Sequence, residues 1–399
     1  MYWMTAMIDT IVLMLDSDQF EILEPDKFSP SASLVLNRPY PKVGKGKTFK
    51  CVQNTSADDK KNGRYSPRLT LILRPCNVTR MLVLNLKIEL SLPKFFCGNN
   101  FDELTDDHLD LFCPLLGIKL KMMGVYVDSS IIKTAKVSSV HYSKNIILHD
   151  HIMCRHVLDE LKKMDIFCRM DANEKDYRNQ GHMIKWHANS YEVCLYDKVR
   201  DLKQSKISEK RSVETDQHMQ TQYLDALVNN QIEVLRMEIR LSKTKMKSLF
   251  KKLKIPPVFT MQSLWSAKIS QKILLHFWDQ LEQRHGLFGI LNSNPDNPQA
   301  YLEALQVQYP DLKPKEMMSI MATTMAIQQI GIAGFKATFP HNQQKTVKRL
   351  IDQAQKHQPF GNTRWKATQQ IREKLVSYQT VSIERCIKNH EKIINTTTT

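Results

Sequence analysis

Met81–Leu92 reads as a strand, and from Leu84 it alternates apolar and polar side chains: Leu84, Leu86, Ile88 and Leu90 against Asn85, Lys87, Glu89 and Ser91. A period of two describes a β-strand with one buried face. The same period returns at Lys136–Leu148, where Ser139, His141 and Ser143 oppose Val140 and Tyr142. At Tyr191–Lys198, Tyr191, Val193 and Leu195 oppose Glu192, Cys194, Tyr196 and Lys198, the last two sharing one face of the expected strand. At Glu233–Leu241, Leu235, Met237, Ile239 and Leu241 oppose Val234, Arg236, Glu238 and Arg240. Ile8–Leu15 and Arg68–Arg74 are further strand segments.

Between these strands the period lengthens to that of a helix. Asp102–Met123 stacks Leu104, Leu109, Phe112, Leu115 and Leu116 on one side, and Ile152–Met164 and Met219–Asn230 also read as helices. His149, Asp150 and His151 precede the second of these, where a helix cap belongs. Lys243, Lys245, Lys247, Lys251, Lys252 and Lys254 surround Met246, Leu249, Phe250 and Leu253, a basic amphipathic helix. Pro256-Pro257 then breaks the pattern, and the rest of the chain is helical: Met261–Gln283, Gln299–Gln308, and a helix–turn–helix arrangement over Lys315–Ile330, Gly331–Gly334 and Gln343–Lys356. The expected class is therefore α+β: an antiparallel-rich central sheet with helices packed on one face, followed by a smaller, mostly helical C-terminal domain. The boundaries are 7–255 and 258–395.

Composition narrows the function. With 399 residues the chain is too long for one typical domain, and 42% hydrophobic residues suffice for packed cores. The net charge of +16 favours a polyanionic partner, nucleic acid before an acidic membrane surface. No apolar run approaches bilayer length, and Asp9 interrupts the short apolar N-terminal segment, which makes it a poor signal peptide. Met7 is a more natural start than Met1. The eight cysteines form no CxxC pair and no zinc-ligand spacing, so they read as reduced thiols in the cytoplasm. Gly44 and Gly46 lack the spacing of a phosphate loop.

The polar strand faces carry the chemistry. Glu89, His141, Tyr196 with Lys198, and Glu238 each stand on the polar side of a strand, so one sheet would gather carboxylates, an imidazole, a phenol and an ammonium on one surface. Oxygen and imidazole ligands from Glu89, His141 and Glu238 suit Mg²⁺ or Mn²⁺. A phenol beside such an ion, with Lys198 nearby, suits nucleophilic attack on phosphorus. Arg236, Arg240, Lys243, Lys245, Lys247 and Lys251 are the expected contacts to DNA phosphates.

Five stretches, in this order, resemble the gene II/X type replication initiators of filamentous phages and related plasmids. They are Met7-Ile8-Asp9-Thr10-Ile11-Val12-Leu13, Lys87-Ile88-Glu89-Leu90-Ser91-Leu92-Pro93-Lys94, Val140-His141-Tyr142-Ser143-Lys144-Asn145, Leu195-Tyr196-Asp197-Lys198 and Leu235-Arg236-Met237-Glu238-Ile239-Arg240. The resemblance implies an HUH-like nickase domain that cuts one strand of a double-strand origin through a tyrosine-linked intermediate and starts rolling-circle replication. Tyr196 falls on the nucleophile, Lys198 on the lysine two places on, and Glu89 and Glu238 on acidic positions. His141 departs from an aspartate carried there by a family member. The implied partners are origin DNA and a host helicase and polymerase, in the bacterial cytoplasm. The competing reading is a non-enzymatic DNA-binding regulator of replication or copy number. A tyrosine recombinase would need an arginine-rich helical catalytic domain instead.

Overall fold

The computed structural model describes residues 8–36, 48–56, 59, 64–75, 82–149, 152–162, 171–172, 182–203, 232–283, 297–357 and 366–386. Its strands, numbered in chain order, are β1 (Ile8–Asp16), β2 (Glu21–Ile22), β3 (Phe49–Gln53), β4 (Arg68–Pro75), β5 (Leu82–Ser91), β6 (Val125–Tyr126), β7 (Lys136–Leu148), β8 (Asp171–Ala172), β9 (Met183–Ala188), β10 (Tyr191–Asp197) and β11 (Glu233–Ser242). Nine of them form one sheet in the order β3-β4-β5-β1-β7-β11-β10-β9-β8, and every neighbouring pair is antiparallel.

Alternation decides the two faces. Leu86, Ile88, Val140, Tyr142, Val193, Leu195, Met237 and Ile239 are buried on one side. Helices Leu92–Cys97, His108–Met122, Cys154–Lys162, Ala267–Gln283 and Lys366–Ser377 supply the apolar layer against it. Opposite faces of these strands carry Glu89, His141, Glu238, Arg240 and Tyr196. One end of that second face is also covered: Val234 and Ile147 pack into a small core with Phe101, Val199 and Ile383. Toward the other end Lys87, Glu89, His141 and Arg240 are part-exposed.

β1 breaks its own alternation, and this matters for the site. Ile8 pairs with Tyr142 and Thr10 with His141, a β-bulge that leaves Asp9 as the extra residue. Ile8 and Ile11 are both buried in the core, so the bulge turns Asp9 and Thr10 together toward the polar face.

The Pro256-Pro257 break does not separate two cores. Leu264, Phe277, Trp278, Ile371 and Leu375 share one apolar cluster with the sheet. Tyr142 Oη donates to Leu264 O at 3.3 Å, and Trp265 Nε1 donates to Thr105 O at 2.9 Å. The buried Lys144 Nζ bonds both Glu103 Oε2 (2.7 Å) and Gln379 O (2.6 Å). Helices Ala267–Gln283 and Lys366–Ser377 are thus a layer of the sheet's own fold, while Tyr301, Leu305, Ile320 and Met321 form a small cluster of their own. Within this part of the chain Pro314–Ala337 is two helical segments that meet at Gly331, whose backbone is non-helical with a φ of 73° that suits glycine, and Gln344–Lys356 packs on them.

Two local expectations change. The central strand ends at Asp197, and Lys198 opens a short helix, Lys198–Lys203. Asp197 accepts a bond from Arg200 N at 3.0 Å, the capping contact that turns the chain. The long helix expected over Asp102–Met123 begins only at His108. The expected helix at 219–230, Asp150 with His151, and Gly44 with Gly46 lie outside the described residues. Among the described residues no helix is long and apolar enough to cross a membrane.

Candidate functional site

Tyr196 on β10 faces the same side as Glu238 on β11. The register pairs Tyr196 with Arg236 and Cys194 with Glu238, so Glu238 is the diagonal neighbour of the tyrosine. The phenol Oη donates to Glu238 Oε2 at 3.1 Å, and both groups are buried. The other carboxylate oxygen, Oε1, accepts from Arg240 Nε at 2.8 Å and lies 3.3 Å from His141 Nδ1. His141 is carried beside them because β7 pairs with β11 in the register His141–Arg240.

Asp9 completes the group. Its Oδ1 accepts from Arg236 Nη2 at 2.6 Å and its Oδ2 from Thr10 Oγ1 at 3.0 Å. Arg236 also donates to Ser143 Oγ (2.8 Å) and Asn100 O (3.0 Å). Ligand atoms of Asp9, His141 and Glu238 all lie within 4.8 Å of one another. Two carboxylates and one imidazole form a donor set that fits a hard or borderline divalent ion such as Mg²⁺ or Mn²⁺.

The electrostatics set an acid beside a base. Burial pushes the Glu238 carboxyl up, but Arg240, His141 and Arg236 outweigh it and hold the group well below the usual carboxylate range. Burial drives the Tyr196 phenol well above its ordinary value; Arg236 opposes this, while Glu238, Asp201 and Asp9 add to it. Glu238 is therefore an ionised acceptor, and Tyr196 is a neutral phenol that donates a hydrogen bond to it.

Outward from this centre the face opens. Arg240 Nη1 meets Glu192 Oε2 at 3.1 Å, and Lys185 Nζ lies 3.5 Å from Glu192 Oε1; all three side chains are part-exposed. Helix Lys243–Lys252 starts just past Arg240. Lys243, Lys247 and Lys251 are exposed on it. Lys245 is half-buried, its Nζ 3.6 Å from the centroid of the Tyr191 ring.

Of the residues expected at the site, Tyr196, His141 and Glu238 converge. Glu89 does not. It shares their face but sits opposite Val12, with β1 between it and β7, and it pairs with Lys87 at 3.1 Å. Asp9 takes the place expected for it. Lys198 leaves the strand: its fully buried Nζ lies 5.7 Å from the centroid of the Tyr196 ring and donates to Asp201 Oδ2 at 3.1 Å. The helix begun by Asp197 has rotated it off the strand. Arg236 is 2% exposed with its guanidinium bound internally, which removes it from the expected phosphate contacts. Asp9 had a signal in the sequence: the apolar step from Ile8 to Ile11 is three residues, a slip of phase before the regular Ile11, Leu13, Leu15.

No protein-family model, no curated protein and no solved structure gives a significant match to the chain, so its chemistry is read from its own side chains.

Proposed function

We propose that the protein is a replication-initiating endonuclease: a metal-dependent, site-specific nickase on an HUH-like domain that cuts one strand of an origin through a phosphotyrosine link. The observation that supports this reading is the hydrogen bond from the Tyr196 phenol to Glu238, whose carboxylate also touches His141 and lies within ligand distance of Asp9.

Tyr196 is the nucleophile. Its proton passes to Glu238 Oε2 as the phenol oxygen bonds to phosphorus, and the phosphorus–O3′ bond breaks. The 3′ oxygen leaves and takes a proton from water to become a free 3′-hydroxyl, Glu238 returns the phenol proton to solvent, and the 5′ phosphate stays on Tyr196. Arg236, whose charge favours the phenolate, counters part of the burial penalty on the phenol. Arg240 and Lys185 at the open rim offer positive charge to the phosphoryl oxygens. A divalent ion held by Asp9, His141 and Glu238 would polarise the phosphodiester. The energy of the cut bond is kept in the tyrosyl ester, so the strand can be rejoined without a nucleotide cofactor. Lys243, Lys247 and Lys251 extend the positive surface for flanking phosphates.

Supercoiled origin DNA incubated with the protein and Mg²⁺ should yield nicked circles and a protein–DNA adduct stable on a denaturing gel. Tyr196→Phe should yield neither, and equal nicking by both proteins would remove Tyr196 from the mechanism. A second reading has its own observation: Arg236 and Arg240 already pair with Asp9 and Glu238, as in a purely structural ion-pair network. It predicts a DNA-binding regulator whose salt-sensitive binding survives Tyr196→Phe and chelation, with no adduct.

A further inference from the structure

On the opposite side of the sheet from the phenol, directly after Tyr196, a second group of ligand-type side chains meets. Asp197 ends β10 with its side chain turned to the helical layer. Cys154 opens helix Cys154–Lys162, and Glu233 opens β11. One donor atom of each lies within 4.8 Å of the others. Cys154 is fully buried, Asp197 is 5% exposed, and Glu233 is part-buried. Beside Asp197, outside that 4.8 Å group, is His182, 3% exposed, whose Nδ1 is buried without a hydrogen-bond partner and lies 3.7 Å from Asp197 Oδ2. Its backbone is tied in as well, His182 O accepting from Asp197 N at 2.9 Å.

Helix capping explains part of this arrangement. Asp197 Oδ1 accepts from Arg200 N at 3.0 Å, and Glu233 Oε2 accepts from Cys154 N at 2.8 Å. Capping does not explain a thiol set between two carboxylates, nor a buried imidazole nitrogen left without a bond. A buried polar atom without a partner is destabilising, and a bound ligand would relieve it.

We propose that Cys154, His182, Asp197 and Glu233 form a closed, structural zinc site, separate from the Asp9–His141–Glu238 group. A sulfur, an imidazole nitrogen and two carboxylate oxygens are the donor types of a four-coordinate Zn²⁺ site, and the thiolate disfavours Mg²⁺ or Mn²⁺. Binding replaces the thiol proton of Cys154 by the metal–sulfur bond, and the proton goes to solvent. Because the thiol must lose its proton to bind, zinc affinity should rise with pH. Arg200 Nε, 3.6 Å from Asp197 Oδ2 on a half-exposed side chain, is the positive group that must yield. The metal would pin the ends of β10 and β11 and the start of helix Cys154–Lys162 behind the tyrosine. The ligands are spread from 154 to 233, so no short cysteine motif announces them.

The test uses the full chain grown with excess zinc and desalted. Mass spectrometry for metals should find about one zinc per chain, retained in the double variant Asp9→Asn/Glu238→Gln and lost in Cys154→Ser and His182→Gln. Cobalt substitution should give a near-ultraviolet thiolate-to-cobalt charge-transfer band in the wild type that Cys154→Ser lacks. Asp197→Asn keeps the helix cap and should bind zinc at least about tenfold more weakly, which covers the case of a Cys154 variant that fails to fold. Zinc absent from the wild type together with no cobalt–thiolate band would overturn the proposal. So would zinc that disappears with the Asp9/Glu238 variant while surviving Cys154→Ser.

Discussion

Asp9→Asn changes one charge and almost no shape, which makes it the sharpest probe of the site. The amide oxygen of the variant could still accept the bond from Arg236 Nη2 that Asp9 now accepts at 2.6 Å. What disappears is the negative charge facing a guanidinium that is 2% exposed. Removing one partner of a buried ion pair costs about 3–5 kcal/mol. Here the retained hydrogen bond recovers about 1 kcal/mol. Burial disfavours the charged Arg236, which Tyr196, Asp9, Glu238 and Glu103 together keep well above its ordinary value, and in the variant Glu238 and Glu103 continue to act on it. The expected loss is therefore about 2 kcal/mol, read from urea unfolding. The same variant should bind Mn²⁺ at least about tenfold more weakly by calorimetric titration, about 1.4 kcal/mol, because one of two anionic ligands has become neutral. Nicking should fall with it. Mn²⁺ affinity within about twofold of wild type, with the stability loss present, would show that Asp9 serves only as the counter-ion of Arg236.

Other perturbations test the frame around the site. Lys144→Met should destabilise the fold by about 3–5 kcal/mol, since Glu103 would stay buried without its ammonium; the double variant with Glu103→Gln should lose less than the sum of the two single changes. Lys243→Ala/Lys247→Ala/Lys251→Ala removes three exposed cations. It should lower the slope of log affinity against log salt by up to about 3 for duplex DNA, with little change in melting temperature. His276 is pushed down to about 4 by burial, with help from Lys252 and Lys245. A histidine depressed in the folded state favours folding fully above its unfolded value near 6.5, and that contribution is lost as pH falls from there toward 4. Between about pH 7 and pH 5 the protein should lose at most about 2 kcal/mol from this group, and His276→Gln should flatten that part of the stability curve.

Period-two alternation on Met81–Leu92, Lys136–Leu148 and Glu233–Leu241 placed three sheet strands to within a residue or so, and it put His141, Tyr196 and Glu238 on polar faces. That information is local, since each residue's side follows from its neighbours in the chain. The basic run at Lys243–Lys254 and its apolar stripe were legible for the same reason. Strand neighbours are another matter, because pairing joins segments far apart in sequence. Only the fold decided that β1 lies between β5 and β7, which moves Glu89 out of the site and, through the bulge at Ile8–Thr10, brings Asp9 in. Only the fold decided that Asp197 caps a helix that takes Lys198 off the strand and onto Asp201. The same holds for the helices beyond Pro257, whose apolar faces have no meaning until a partner surface exists, and that surface is the broad side of this sheet.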